Sequence, residues 1–227
     1  MREDEKPGLR RLPLFREMKT RTFDDLMNIA YVQMFPPQLE LFRHGQMADF
    51  LHVIIEGSVE FHASWSGRET VMGVARPISA FILAACIRDA PYLMSARTLE
   101  ASRIVLLPAA DLRAAMRNDA GFAMAALNEL ANSFRGMVLQ AKNLKLRTAR
   151  ERLAAWILHH AGNEASLVLP FGKRHLASYL GIAPESLSRT IRALESDGIK
   201  VDGARVIITD RAALTRVALP EPSMDDR

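Results

Sequence analysis

"GKRHLASYLGIAPESLSRTIRALESDGI", residues 172–199, has the spacing of a helix-turn-helix. Leu176, Ala177 and Leu180 make the inner face of a first helix, with small Ala177 where two helices must approach closely. Gly181 supplies a sharp turn, Ile182 plugs the core just after it, and Pro184 suits the first turn of a second helix. Leu187 and Ile191, at i and i+4, then point inward. Glu185, Ser188 and Arg189 fall on the outer face near the amino end, where a recognition helix meets base edges. The Leu-Ala-x-x-Leu-Gly pattern alone also occurs in ordinary helical hairpins, so its surroundings decide the reading.

Downstream, "KVDGARVIITD" (200–210) sets Asp202-Gly203, a strong hairpin signal, between Val201 and Val206-Ile207-Ile208. A hairpin after the second helix makes a winged helix-turn-helix. Upstream, "TARERLAAWILHHAG" (148–162) reads as a helix ended by Gly162, with "SLVLPF" (166–171) as a short strand after it. His159-His160 at that helix end complement its dipole.

Earlier still, Asp119 is placed to cap a long helix running towards Lys145 with only Gly136 interrupting. Leu127, Leu130, Phe134, Met137, Ala141 and Leu144 recur along it at 3-4-3-4-3 spacing. A seam that long, with a polar opposite face, is what a dimer helix needs; packing on its own domain is the alternative.

From about Phe35 to Leu107 the text turns to short strands. "FLHVIIEGSVEFHA" (50–63) places Glu56-Gly57-Ser58 between two apolar runs and predicts a half-buried hairpin. Ser66-Gly67-Arg68 marks a second turn, and "SARTLEASRIVLLP" (95–108) supplies two more strands. Several short strands with regular turns predict an antiparallel sandwich or jelly roll. The fold class is therefore α+β: a β roll over 12–117, a dimerisation helix over 118–146 and a winged helix-turn-helix over 147–219. The closing "PEPSMDDR" (220–227) is expected to fray.

Composition narrows the function. Apolar residues make up 49% and charged residues 25% of 227, as in globular proteins. No stretch approaches the length of a bilayer span, and the amino terminus lacks the apolar core of a secretory signal, so a cytoplasmic protein is expected. One cysteine, Cys86, supplies neither a disulfide nor a four-thiolate cluster. Residues 135–211 hold 13 Lys/Arg against 7 Asp/Glu, a net +6, which leaves −2 for the rest of the chain. A basic carboxy-terminal third points to a polyanionic partner. No nucleophile motif, Gly-rich phosphate loop or metal-spaced histidines argue for an enzyme.

The order of parts, together with "LFRHGQMADFLHVIIEGSVEF" (41–61) and "LASYLGIAPESLSRTIRALESDGI" (176–199), resembles the Crp/Fnr family of bacterial transcription regulators from about Leu12 to Leu219. "FPPQ", "DFLHVIIEGSVE", "FILAACIRDAPYLMSARTL" and "DRAAL" are most similar to its branch of FtrB-like activators. The resemblance implies a homodimer that binds a palindromic site in duplex DNA and works with RNA polymerase. Glu185, Ser188 and Arg189 match the family's Fnr-type reading pattern, with Pro184 where Crp-type members place Arg. Arg189 can pair with guanine O6/N7, Glu185 can accept from cytosine N4 and Ser188 can reach a neighbouring base; the resemblance implies Fnr-like TTGAT half-sites. Lys173, Arg174, Ser186 and Arg192 are read as phosphate contacts. Glu185 and Arg189, at i and i+4, are also expected to pair on the free protein's surface.

Family members that bind cyclic AMP carry a cassette close to Phe-x-Gly-Glu followed by Arg-Ser-Ala. Here Phe81-Ile82 is followed by Leu83-Ala84, and Met94 precedes Ser95-Ala96, so the glycine, the acid and the arginine are all replaced. A cyclic phosphate would enter without a compensating cation, so cyclic AMP is not expected. Phe81, Leu83, Ala84, Met94 and Ser95 remain a possible effector pocket for an unidentified apolar small molecule. An iron–sulfur cluster is excluded by the cysteine count. Haem would need His44, His52 or His62, which lie where a surface histidine is the usual explanation. Cys86 reads as a small buried hydrophobe, because only Arg88 speaks for a lowered thiol pKa. The competing functions are a regulatory subunit whose barrel gates a partner protein, against which the winged helix argues, and a haem-dependent gas sensor of the same family.

Overall fold

The Glu56-Gly57-Ser58 turn does not close a hairpin; it carries the chain from one four-stranded sheet into another. Gly57 has φ +86°, and a Cβ there would meet Ser102 Cα at 2.7 Å, so the turn is wedged against residues 101–102. The Ser58 amide donates to Ser102 Oγ (3.2 Å) and the Leu99 amide to Ser58 O (2.9 Å). Alternation identified both strands, but the period is the same whether consecutive strands pair or face each other across a sandwich.

The structure is a computed structural model that describes residues 6–169, 172–221 and 225. The chain divides into two compact units, residues 1–134 and 135–227. The first opens with three short helices, α1 (Lys6–Arg10), α2 (Pro13–Arg16) and α3 (Thr20–Asn28). Strands β1 (Tyr31–Phe35), β2 (Glu40–Phe42), β3 (Phe50–Glu56), β4 (Val59–Trp65), β5 (Arg68–Ala75) and β6 (Ser79–Phe81) follow. Then come α4 (Leu83–Arg88), β7 (Ser95–Thr98), β8 (Ser102–Pro108) and α5 (Ala109–Asn118).

The sheets run β1-β8-β3-β6 and β2-β7-β4-β5, every pairing antiparallel. Within these two sheets, among the described residues, only β4 and β5 form a tight hairpin, closed at Trp65–Arg68 with Ser66 and Gly67 both at positive φ, as an I′ turn requires. Leu51, Val53, Ile54, Ile104 and Leu107 from one sheet and Phe42, Val59 and Ala96 from the other share one core. The jelly roll expected from the strand pattern is therefore present, with β1 starting four residues before the first expected strand.

Helix α6 (Ala120–Leu146) spans the expected long helix and continues past residue 134. The second unit continues with α7 (Ala149–Ala161), β9 (Ser166–Val168), α8 (Lys173–Tyr179), α9 (Pro184–Glu195), β10 (Ile199–Asp202), β11 (Arg205–Ile208) and α10 (Arg211–Ala218). Thr148 and Glu151 close a capping box at the start of α7, and Gly162 ends it. Of the expected strand 166–171, β9 holds the first three residues, and Pro170 and Phe171 lie outside the described residues. The third sheet is β10-β11-β9; Asp202 pairs with Arg205, so the two-residue loop is Gly203-Ala204 rather than Asp202-Gly203.

Candidate nucleic-acid interface and sensor barrel

Leu176, Ala177, Leu180, Leu187 and Leu194 are at most 1% exposed and hold α8 and α9 together, with Ile191 and half-buried Ile182 beside them. Gly181 makes the turn at φ +64°, and Pro184 opens α9 at a position that needs no amide donor. That inward register leaves Glu185, Ser188, Arg189 and Arg192 exposed on one side of α9, with Ser186 half-buried. Lys173 and Arg174 stand exposed in the first turn of α8. The outward face is thus one acid, four arginines or lysines and hydroxyls between them, donors and acceptors that can meet base edges and phosphates.

Arg189 does not pair with Glu185. Its Nη2 donates to Ser186 Oγ at 3.2 Å, because a hydroxyl at i−3 lies within reach and holds the guanidinium along the helix. Ser186 is further fixed by its amide, which donates to Ala183 O (2.9 Å), and by its carbonyl, which accepts from Thr190 Oγ1 (2.9 Å).

The basic surplus of this region is smaller at the surface than in the sequence. Arg150 donates to Asp197 through Nε (2.9 Å) and Nη2. Arg147 grips Asp225 through Nη1 (2.8 Å) and Nη2 (2.6 Å) and also donates to Leu219 O (3.0 Å). This last pair corrects the expectation of a frayed tail at Asp225: a buried guanidinium takes the carboxylate. Residues 222–224, 226 and 227 lie outside the described residues. Arg152, 8% exposed, donates Nε to Leu180 O (2.8 Å) and Nη1 to Leu144 O (3.3 Å) and Arg147 O. Burial pushes its pKa below the usual guanidinium value. Sequence gave no sign of this role, since a buried arginine and a DNA-facing one look alike in a charge sum. At the end of α7, His160 stacks on Trp156 (4.1 Å) and its Nδ1 lies 2.9 Å from Trp156 O.

On α6, Leu127, Phe134, Met137, Ala141 and Leu144 are exposed and Leu130 is half-buried. Phe134 and Met137 reach 69% and 71% exposure. Leu144 has a second contact: its Cδ2 lies so close to Gly181 that a Cβ there would be 2.5 Å away.

Inside the roll, rings occupy the space between the sheets. Phe42 stacks on Tyr92 (3.9 Å), His52 on Phe81 (5.3 Å), and Phe61 meets Phe81 edge-on (5.1 Å). His52 and His62 are 5% and 7% exposed, which corrects their reading as surface histidines; His44 alone is exposed. They are inward because β3 and β4 bury both faces near the sheet centre. His62 Nε2 lies 3.6 Å from Glu40 Oε1, and burial lowers the His52 pKa to about 4. Of the cassette residues, Phe81 is buried, Leu83 and Ala84 open α4, and Met94 and Ser95 are half-buried beside β4, with Ser95 Oγ accepting the His44 amide (3.0 Å). Cys86 is fully buried and its thiol is pushed up to about 12, chiefly by burial, with Arg113 rather than Arg88 as its charged neighbour. Among the described residues no three His, Cys, Asp or Glu are grouped to hold a metal ion, and no helix is long and apolar enough to cross a membrane.

Two family models match the chain: a cyclic nucleotide-binding domain over residues 32–119 and a Crp-like helix-turn-helix domain over residues 151–217. The nitrogen fixation regulation protein FixK of Azorhizobium caulinodans is 27% identical over 198 residues, 81% of this chain and 77% of that one. The cyclic AMP receptor protein of Thermus thermophilus is 23% identical over 203 residues, 89% and 94% of the two chains. The solved structure of FixK2 from Bradyrhizobium japonicum has the same fold, with a TM-score of 0.68 at 20% identity over 83% of this chain and 97% of that one.

Proposed function

Because the chain belongs to the Crp/Fnr family of helix-turn-helix transcription regulators, we propose that it acts as a homodimer reading an inverted repeat in duplex DNA. The observation that carries this is the outward face of α9, where Glu185, Ser188 and Arg189 stand exposed above a fully packed inner face. In this reading Arg189 takes guanine O6/N7, Glu185 takes cytosine N4 and Ser188 a neighbouring base of a TTGAT-type half-site. Lys173, Arg174 and Arg192 take phosphates. The α6 seam supplies the dimer, and RNA polymerase is the downstream partner. The finer kinship is with the FtrB-like branch, on the segments quoted above.

The barrel works without a cyclic nucleotide, an iron–sulfur cluster or haem. Support comes from Leu83, Ala84 and Met94 at the cassette positions and from the rings of Phe42, His52, Phe81 and Tyr92 packed between the sheets. Any effector is an apolar small molecule that displaces part of that packing.

The test is a titration of duplex DNA across salt concentration, followed by sequence selection. Binding should weaken with a log–log slope of several released counterions. Arg189→Ala should cost about 1–3 kcal/mol and relax discrimination at the G·C pair of each half-site. Unchanged sequence preference in that variant would refute α9 as the reader. Cyclic AMP should shift neither the melting temperature nor the affinity for DNA.

A further inference from the structure

The last turn of α8 and the turn that follows it are fastened to α6 and α7 at three consecutive residues. Gln140 Nε2 donates to Tyr179 O (2.9 Å), Arg152 Nε donates to Leu180 O (2.8 Å), and Leu144 Cδ2 abuts Gly181. Carbonyls at the end of a helix ordinarily look to water or a cap; here side chains from two other helices take them. Arg152 also holds Leu144 O and Arg147 O, so one buried guanidinium joins the end of α6 to the turn that launches α9. Glycine at 181 is what lets Leu144 approach, since a Cβ there would sit 2.5 Å from it in a left-handed backbone. The same turns of α6 expose Met137 and Ala141.

We propose that Gln140, Arg152 and the Leu144–Gly181 contact form a clamp that fixes the reading helix to the dimer helix and thereby selects the spacing between half-sites. The proposal rests on the reading of the chain as a dimer on an inverted repeat. Each base pair added between half-sites turns one against the other by about 35° and moves it by about 3.4 Å. A reader fastened to α6 can meet only one such arrangement. A reader loosened from α6 can follow the DNA, at the expense of the rigidity that favours the correct site. Gln140 and Arg152 are positioning residues: neither needs to touch DNA.

Full-length protein is titrated onto four duplexes: the selected inverted repeat, the same repeat with its central spacer one base pair shorter or longer, and a single half-site. Wild type should lose about a hundredfold in affinity on both altered spacers, because simultaneous engagement fails, while Gln140→Ala and Arg152→Lys should lose less than about tenfold. Both variants should keep the wild-type affinity for the single half-site and its base preference. Gln140→Ala removes one hydrogen bond at a half-buried side chain, so it keeps the test open if Arg152→Lys fails to fold. Variants that retain the wild-type penalty on altered spacers overturn the proposal, even where their affinity for every duplex falls together. A wild type that prefers the repeat but tolerates all three spacings overturns the clamp alone. A wild type that binds the repeat no better than a single half-site overturns the dimeric reading and the clamp with it.

Discussion

Asp119 Oδ2 accepts the amide of Lys19 at 2.7 Å while its Oδ1 accepts that of Phe122 at 3.2 Å, so one carboxylate caps the starts of two helices. Lys19 precedes α3 and Phe122 lies in the first turn of α6. Burial alone would raise this carboxyl's pKa, but the Lys19 and Phe122 amides, the Thr22 hydroxyl and the Lys19 charge together hold it below the ordinary carboxylate value. Its contribution to stability is present above the unfolded carboxyl's pKa and disappears as pH falls through the lower folded value. Asp119→Asn turns one acceptor into a donor facing an amide and should cost roughly 1–3 kcal/mol at neutral pH. Urea unfolding should show the gap between wild type and variant shrinking in acid; a constant gap would mean the charge plays no part.

His52 loses stability in acid as well, but through burial of a base rather than the loss of a capping charge. It is held between Phe42 and Phe81, and burial lowers its pKa from 6.5 to about 4. The unfolded chain therefore takes up a proton first as pH falls. Stability is full above about pH 6.5 and declines towards pH 4, by about 3 kcal/mol over that window. His52→Phe should flatten the decline between those limits while conserving the ring packing. The check is the urea midpoint of both proteins at neutral pH and near pH 4, and an equal fall in the two would remove His52 as its source.

The two ends of the chain differ in how far the sequence explains them. Leu176, Ala177, Gly181, Pro184 and Leu187 announce α8 and α9 because helix packing and a glycine turn each demand a residue type at a fixed spacing. The β-roll's strands were legible from alternation, whereas their pairing was not, because β3 and β4 look like a hairpin until Gly57 meets Ser102. The inward histidines were missed since His52 and His62 sit among alternating residues whose two faces are both covered. Arg147, Arg150 and Arg152 counted as free positive charge, yet Arg147 and Arg152 are buried ties and exposed Arg150 is paired; their partners are Asp225, backbone carbonyls that include Leu180 O, and Asp197. Long-range partners leave no local pattern.

The exposed seam on α6 predicts a second copy of the chain over it. Met137 and Phe134 lie a turn apart at 71% and 69% exposure, too large and too apolar for a helix face left in water. Met137→Glu places two like charges at the contact and should weaken dimerisation by about 2 kcal/mol or more. Sedimentation velocity across a concentration series measures this directly, and the helical signal of the monomer should persist. An unchanged dimer would place the interface elsewhere.

Ser186 decides between two roles by the shape of its mutant's binding profile. As a phosphate contact it would weaken all duplexes alike when lost. Its Oγ, however, accepts Arg189 Nη2 at 3.2 Å, and its own backbone is held by Ala183 O and Thr190 Oγ1. A hydroxyl so placed restricts the rotamers of the guanidinium proposed to read guanine, and a long arginine left free loses that head start on binding. Ser186→Ala should therefore lower discrimination at the G·C pair roughly threefold to tenfold, the worth of one solvent-exposed hydrogen bond, and leave non-specific affinity unchanged. Ser186→Thr keeps the hydroxyl and should restore discrimination. A competition series over all four base pairs at that position reads out the difference. Uniform weakening in Ser186→Ala, with base preference intact, would return the residue to the phosphate backbone.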